Sequence, residues 1–249
     1  MNSYSIWQGY MQSYDFLTKV DGYAQNMNDI ATTANPFPGA SILDAGSGTG
    51  NLSLLLKSKG AKVLSCDYSS VALARHKDKD PDATLMQASL EKPLSLPGQS
   101  FDTVCCASVL FALSQSGCDL ALSEFHRVLR PEGRLVLTVP AQEAKLGKLV
   151  QMHLRTIAKA HGKVRGLPKF LADLPALTNV LYYNAKLKAL PDWQGFHAFK
   201  EDELAGLVAK AGFERIERRR TYGGVFLMVS AVRAAQTFLD QVQTPKSAA

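Results

Sequence analysis

Short apolar runs alternate along this chain with stretches in which apolar residues recur every three or four positions. The apolar runs predict buried strands at residues 42–43, 62–66, 83–87, 104–107 and 134–140. The helical spacing is found between them, at residues 51–58, 71–76 and 118–129. A further helix at 199–212 is followed by two strands, 213–220 and 225–232, that are joined around a Tyr-Gly-Gly turn. The alternation of strands and helices predicts an α/β domain.

The stretch from Ser41 to Asp67 combines these signals in one unit of strand, turn, helix and strand. Its turn has the sequence Asp44-Ala45-Gly46-Ser47-Gly48-Thr49-Gly50. Glycines let the backbone take positive φ angles and approach a ligand without a Cβ in the way. Asp67 directly follows the second strand, where a carboxylate can accept hydrogen bonds from both hydroxyls of a ribose. The unit therefore predicts a nucleoside-binding site.

The spacing of the glycines distinguishes between kinds of nucleoside. A dinucleotide-binding loop has the pattern G-x-G-x-x-G, whereas here Asn51 takes the place of the third glycine and Asp44 precedes the first. This pattern resembles motif I of the class I S-adenosylmethionine (SAM) methyltransferases. Phe101-Asp102 before the fourth apolar run also resembles that family. A tight turn in some other α/β protein is the alternative interpretation.

The resemblance implies a fold, a cofactor and a set of binding residues. The fold is a Rossmann-like, doubly wound α/β fold with seven strands, the last one antiparallel, and an inserted helical lid. The cofactor is SAM and the product S-adenosylhomocysteine. The resemblance places at the cofactor Asp44, Ala45, Gly46, Ser47, Gly48, Asp67, Tyr68, Ser89, Leu90, Ala107 and Ser108, and Tyr14 from an N-terminal helix. Where Ser89 stands, the family often has an acid that binds the adenine amino group, so a hydroxyl or the Leu90 amide would serve here.

The family pattern and the breaks in the sequence divide the chain into five segments. They are a helical cap (residues 1–34), the SAM-binding core (35–140), a lid (141–198), a helix with a strand pair (199–233) and a tail (234–249). In the cap, Trp7, Tyr10 and Tyr14 recur at helical spacing, and this aromatic face could pack on the core or lie near the sulfonium. In the lid, two short helices are predicted on either side of Pro175. The lid covers the acceptor or forms an outer packing layer.

Composition and charge limit the classes of function. The hydrophobic content of 46% suffices for a core, and no apolar run is long enough for a membrane span. The N-terminus lacks the pattern of a signal peptide, and the four cysteines lack metal-binding spacing, so we expect a cytoplasmic protein. Seven basic residues and a single acid in residues 141–170 account for the whole net charge of +6. That segment is a solvated helix face, or it meets an anionic substrate, nucleic acid or an acidic membrane surface.

The acceptor is harder to infer than the cofactor. Residues 108–111 lack the Asn/Asp-Pro-Pro-aromatic run of DNA amino-methyltransferases, so we do not expect a nucleic-acid partner. The candidate general bases are His197, Tyr182 and Tyr183, with His153 and Tyr222 behind them, and no metal site is predicted. The leading hypothesis is transfer of a methyl group to an oxygen, nitrogen or sulfur of a small molecule, by a monomer or homodimer. The alternatives are an RNA or protein methyltransferase that uses the basic residues 145–169, and a non-catalytic binding protein.

Overall fold

The structure is a computed structural model that describes residues 3–142, 146–161, 167–190 and 197–235. Its seven strands are β1 (Ser41–Ala45), β2 (Lys62–Asp67), β3 (Thr84–Gln87), β4 (Phe101–Ala107), β5 (Leu129–Pro140), β6 (Phe213–Thr221) and β7 (Phe226–Arg233). Its eight α-helices are α1 (Ser3–Met11), α2 (Asp21–Ala34), α3 (Asn51–Ser58), α4 (Ser70–Lys79), α5 (Gln115–Val128), α6 (Leu146–His161), α7 (Leu167–Lys188) and α8 (Glu201–Lys210). Short 3₁₀ helices cover Tyr14–Lys19, Leu110–Ala112 and Tyr222–Gly224.

All seven strands form one sheet in the order β3-β2-β1-β4-β5-β7-β6. The pairs from β3 to β5 are parallel, whereas β7 is antiparallel to both of its neighbours. This arrangement confirms the predicted fold class, including the antiparallel last strand. The strand order reverses at β1, between β2 and β4, and ligands of open α/β sheets bind at the carboxyl ends of the strands at such a point.

The core lies on both faces of the sheet, because successive residues of a strand point to opposite sides. In β4, Val104 and Cys106 pack into the cluster that includes α5 and α8, while Cys105 packs into the cluster with α2 and α3. The edge strand β6 is different, since its arginines are exposed, and charged side chains on an edge oppose pairing with another chain. All four cysteines are free and buried.

Two local predictions differ from the structure. The predicted break at Pro175 is wrong, because α7 runs through it as one helix. A proline removes one backbone hydrogen bond, but burial of Leu177, Val180 and Leu187 holds the second half of α7 in line with the first. The single aromatic helix is also wrong, because α1 ends at Met11 and Tyr14 begins a 3₁₀ helix.

The segment after β5 does not cover the sheet directly. Its helix α7 packs on α1 and on the 3₁₀ helix Tyr14–Lys19, while α6 packs on α2 and α7. The N-terminal helices are therefore the inner layer and α6 and α7 the outer one. Part of the predicted basic cluster, Lys145, Lys163 and Arg165, lies outside the described residues, as does most of the predicted tail.

Candidate cofactor and acceptor site

A cavity lies at the carboxyl ends of β1, β2 and β4 and is roofed by the N-terminal helices. One half is formed by the glycine loop and the ends of β2 and β3, and its lining includes Asp44, Gly46, Ser47, Gly48, Asp67, Tyr68, Ser89, Leu90, Glu91, Ala107 and Ser108. The other half is formed largely by aromatic and apolar side chains, and its lining includes Trp7, Tyr10, Met11, Tyr14, Leu17, Tyr23, Met27, Phe111 and Phe226. Polar groups are thus concentrated around the glycine loop, whereas most of the lining from the N-terminal helices is aromatic or apolar.

The glycine loop has the conformation that its glycines permit. Gly46 has φ +74°, and a Cβ there would stand 2.3 Å from Cγ2 of Val109, so the turn has no room for a side chain. Gly48 has φ +54°, but a Cβ there would meet only Met11 and Tyr14, each at 4.0 Å. Because both of those residues line the cavity, the missing side chain of Gly48 leaves space at the site itself.

Asp67 is held at the end of β2 by backbone donors. One carboxylate oxygen accepts the Gly48 N–H and the other accepts the Ser69 N–H, each at 2.8 Å. Burial raises the pKa of Asp67, and these N–H donors partly offset that effect. Each carboxylate oxygen can accept a further hydrogen bond, so a diol next to Asp67 could be bound through both hydroxyls.

Asp44 lies under the loop and is almost completely buried. The Ser53 hydroxyl donates to it at 2.5 Å and lies 2.8 Å from the Ser65 hydroxyl. Burial raises the pKa of Asp44 to about 7, and the charge of Asp67 adds to the effect. The positive charge of a cation bound nearby would favour the ionised form of Asp44.

The polar groups of the apolar half are neutral. Burial raises the pKa of Tyr10 and that of Tyr23 to about 12, so both phenols keep their protons near neutral pH. Asn184 of α7 donates to the Tyr10 hydroxyl at 3.0 Å, and Asn51 of α3 donates to the Tyr23 hydroxyl at 3.2 Å. Asn26 of α2 is 2% exposed, and its side-chain oxygen has no hydrogen-bond partner among the described residues.

Sequence reasoning missed Asn26 and Asn184. Neither belongs to a motif, and a polar residue in a helix gives no sign of which face it occupies until the packing is known. The tyrosines were visible as an aromatic cluster. They do come together in the structure, where the ring centroids of Tyr10 and Tyr14 are 5.6 Å apart and those of Tyr14 and Tyr23 are 6.1 Å apart.

Of the twelve residues predicted at the cofactor, eleven line the cavity, and Ala45 lies buried in β1 just before the loop. Ser89 and Leu90, which were predicted at the adenine, are both among these lining residues, and the Ser89 hydroxyl accepts the Glu91 N–H at 3.2 Å and so caps its own turn. Glu91, which sequence reasoning left out, also lines this end and accepts the Ser114 N–H at 2.8 Å.

The candidate bases are placed elsewhere. None of His197, Tyr182, Tyr183 and His153 is among the described residues that line the cavity, and the side chain of Tyr222 lies outside the described part of the structure. The His197 ring lies 2.7 Å from Glu203, and the Tyr183 ring packs over Gly9. The described residues also contain no cluster of three or more His, Cys, Asp or Glu side chains that could hold a metal ion.

Comparison with known proteins decides the family. A family model described as a methyltransferase domain matches residues 43–137. The demethylmenaquinone methyltransferase of Beutenbergia cavernae is 30% identical over 207 residues, which cover 80% of this chain and 75% of that protein. This chain belongs to the class I SAM-dependent methyltransferases. SAM is its cofactor, as the resemblance predicted.

Two further likenesses agree with this family. The ubiquinone/menaquinone biosynthesis C-methyltransferase UbiE of Syntrophotalea carbinolica is 28% identical over 78% of this chain and 76% of that protein. The crystal structure of magnesium protoporphyrin IX methyltransferase from Synechocystis, with bound SAM, has a TM-score of 0.55 at 18% identity and covers 86% of this chain and 80% of that one. The second likeness shows the fold.

The residues of the polar half fit SAM. Asp67 is a buried acceptor for a diol, and the space at Gly48 lies beside it because the two residues share a hydrogen bond. Asp44 and Asp67 both line the cavity, and their carboxyl groups suit a ligand that carries a sulfonium and an ammonium. The Ser47 hydroxyl lines the cavity and has no partner among the described residues, so it is available to a polar ligand.

Proposed function

We propose that the chain transfers the methyl group of SAM to a ring carbon of a small, largely apolar aromatic molecule that carries hydroxyl groups. The observation that carries this proposal is the second half of the cavity, where aromatic and aliphatic side chains surround a few neutral polar groups. SAM supplies the methyl group on a sulfonium that is a good leaving group. The contribution of the protein is to hold the acceptor close to that methyl group and in line with it.

The proposed cofactor contacts follow from the geometry of the polar half. Asp67 binds the ribose hydroxyls, and the backbone of the loop from Gly46 to Gly48 borders the methionine part. Leu90 and Ser89 border the adenine. Asp44, under the loop, compensates the positive charge of the ligand. The N-terminal helices cover these contacts. Asp15 of the N-terminal segment links those helices to the glycine loop and to α4, because it accepts hydrogen bonds from Thr49 at 2.5 Å and from Lys79 at 2.6 Å.

The acceptor is proposed to bind with a hydroxyl on Asn26. Its buried side-chain oxygen is unpartnered among the described residues and lines the cavity, and a buried acceptor without a donor costs roughly 1–3 kcal/mol. A hydroxyl from the acceptor removes that cost and fixes the orientation of the ring. A second amide, Asn184, lines the same half.

Carbon is favoured over oxygen, nitrogen or sulfur as the methylated atom, although the sequence-based expectation was one of those three. Among the described lining residues there is no histidine, and the buried tyrosines keep their protons. An electron-rich ring carbon is activated by the hydroxyl groups of the acceptor itself. It bonds to the methyl group as the sulfur–methyl bond breaks and S-adenosylhomocysteine leaves, and the resulting ring cation is a strong acid that loses its ring proton to water. The similarity to a quinone-pathway C-methyltransferase supports the same choice.

The test is a turnover assay with a naphthohydroquinone that is kept reduced, with SAM labelled in its methyl group. We expect a product with a new carbon–methyl bond, identified by mass spectrometry and NMR. A labelled methyl ether as the main product would contradict carbon transfer, and the absence of any product with hydroxylated aromatic acceptors would contradict the acceptor class.

The role of Asn26 is tested by Asn26→Leu, which keeps the size of the side chain and removes its polarity. We expect kcat/KM to fall about 10- to 100-fold, with unchanged SAM binding, because one buried hydrogen bond is lost. The matched control is Asn28→Leu, which makes the same change at an exposed position of the same helix. Equal kinetics of the two variants would show that Asn26 does not bind the acceptor.

A further inference from the structure

The outer helices α6 and α7 have one face turned toward the cavity wall. Lys19 of the N-terminal segment pairs with Asp173 of α7 at 2.8 Å, and Asn179 donates to Ser13 at 2.6 Å. Asn184, farther along α7, donates to Tyr10, and both of these residues line the cavity. The inner face of the helix pair is therefore occupied by the N-terminal helices.

The outer face carries large apolar side chains in contact with solvent. Five large hydrophobic side chains are exposed in the described chain, and three of them are on these two helices: Leu154 (43%), Leu171 (54%) and Tyr182 (50%). Pro175 is also exposed, between Leu171 and Tyr182 on α7. Clustered exposed apolar side chains mark a surface that meets a partner or a membrane.

The exposed charge of the two helices has a single sign. The exposed charged side chains on the described residues of α6 and α7 are all basic: Arg155, Lys159, Lys169, Lys186 and Lys188. The acid of the pair, Asp173, is 4% exposed and lies close to Lys19 (2.8 Å), the His153 ring (3.3 Å) and Lys169 (4.0 Å), so Lys169 is directed toward the inner side of α7. The Lys186 ammonium lies 5.4 Å from the centre of the Tyr182 ring, so a cation and an aromatic ring project together.

We propose that this face, formed by Leu154, Leu171 and Tyr182 together with Arg155, Lys159 and Lys186, docks on an anionic membrane surface. Helices with lysine and arginine beside exposed leucine and tyrosine lie in the interface of a bilayer, with the apolar side chains among the acyl chains and the cations at the headgroups. Exposed leucines would not contribute to binding a nucleic acid, because its phosphates interact with the basic side chains. The proposal goes beyond the proposed reaction and does not depend on it.

Docking in this orientation has a consequence for the site. The cavity wall, with Tyr10 and Asn184, is bound to the opposite side of α7, so one helix, about 10 Å in diameter, separates the cavity from the bilayer.

The experiment is co-sedimentation of the full-length protein with vesicles of phosphatidylcholine alone or mixed with phosphatidylglycerol. We expect binding to the mixed vesicles, weak binding to phosphatidylcholine, and loss of binding at high salt. The variant Lys159→Glu/Lys186→Glu should lose at least about 25-fold in partition coefficient, since each cation near an anionic surface contributes roughly fivefold. Leu171→Ser/Tyr182→Ser should also bind more weakly.

The controls make the same chemical changes elsewhere on the surface. Lys59→Glu/Lys62→Glu has the same net charge, and Phe37→Ser removes an exposed hydrophobic side chain; both should bind like the wild type. Equal binding to both kinds of vesicle, or equal losses in the controls, would overturn the proposal. Binding to poly(U) that is tighter than binding to the vesicles, and that the serine substitutions leave unchanged, would also overturn it. A dimer seen by light scattering that the serine substitutions dissociate would do the same. None of these readouts needs turnover, so failure here is distinct from failure of the proposed reaction.

Discussion

Asp67 offers a sharp test of the cofactor site, because its carboxylate lies at the end of β2, lines the cavity and is nine-tenths buried. We expect the change Asp67→Ala to weaken the binding of SAM strongly. Two hydrogen bonds from ribose hydroxyls to a charged acceptor are lost, each worth roughly 1.5–3 kcal/mol. The sum of about 3–6 kcal/mol corresponds to a rise in Kd of about 10²- to 10⁴-fold.

The same change also removes the acceptor of two backbone donors, the N–H groups of Gly48 and Ser69. Part of the loss would then come from a less ordered loop. Asp67→Asn helps to separate the effects, because it keeps the shape and one acceptor oxygen. Its loss of affinity should lie between those of wild type and Asp67→Ala.

The assay is calorimetric titration with SAM and with S-adenosylhomocysteine, beside thermal unfolding of each variant. Asp102→Ala is the matched control, since that aspartate accepts the Ser41 N–H at 2.8 Å at the start of β4, at the opposite end of the sheet. It should lose stability but keep its affinity for SAM. If folded Asp67→Ala bound SAM within about threefold of the wild type, Asp67 would not be the ribose acceptor.

Two further predictions concern the loop. Gly46→Ala should lower both stability and SAM affinity, because its Cβ would stand 2.3 Å from Val109. The control is Gly206→Ala in α8, where nothing lies within 4 Å of the added Cβ. It should leave SAM affinity unchanged and raise stability slightly in thermal unfolding. The pKa of Asp44 is about 7 in the folded protein against an ordinary 3.8, so between these pH values the folded chain binds a proton that the unfolded chain has released. The free energy of unfolding should therefore fall as pH rises from about 4 to 7, by up to about 4 kcal/mol relative to Asp44→Asn. Denaturant unfolding of both proteins across this range measures the difference, and parallel curves would contradict the raised pKa. SAM binding near pH 7 should release the proton, which calorimetry in buffers of different ionisation enthalpy would detect.

The parts of the site that sequence reasoning identified are those whose chemistry is local. The glycine loop and α3 were predicted at residues 44–50 and 51–58, and α3 has those bounds in the structure. Asp67 was recognised from its place at the end of the second apolar run, and in the structure it is the last residue of β2, at the carboxyl end of that strand. Spacing, glycine conformation and strand length act over a few residues, so the sequence alone carries them.

What the sequence could not give is the wall of the cavity opposite the loop. Asn179 and Ser13 form a hydrogen bond although 166 residues separate them, and Asn184 and Tyr10 do so across 174. Such pairings depend on how α7 packs against α1, and the local signal at Pro175 pointed the wrong way. His197 was favoured as a base from its place in the chain, yet its ring pairs with Glu203.

The sequence by itself thus determined the family, the cofactor and the acid that is proposed to hold the ribose. The tertiary structure decided which helix faces the cavity and that Asn26 is buried there with its oxygen unpartnered among the described residues. It also decided which leucines of α6 and α7 are exposed beside basic residues. The physical reason is the distance along the chain between the residues that interact. Loop conformation and strand ends are set by neighbouring residues, whereas burial and the orientation of a helix face are set by residues that meet only after the chain has folded.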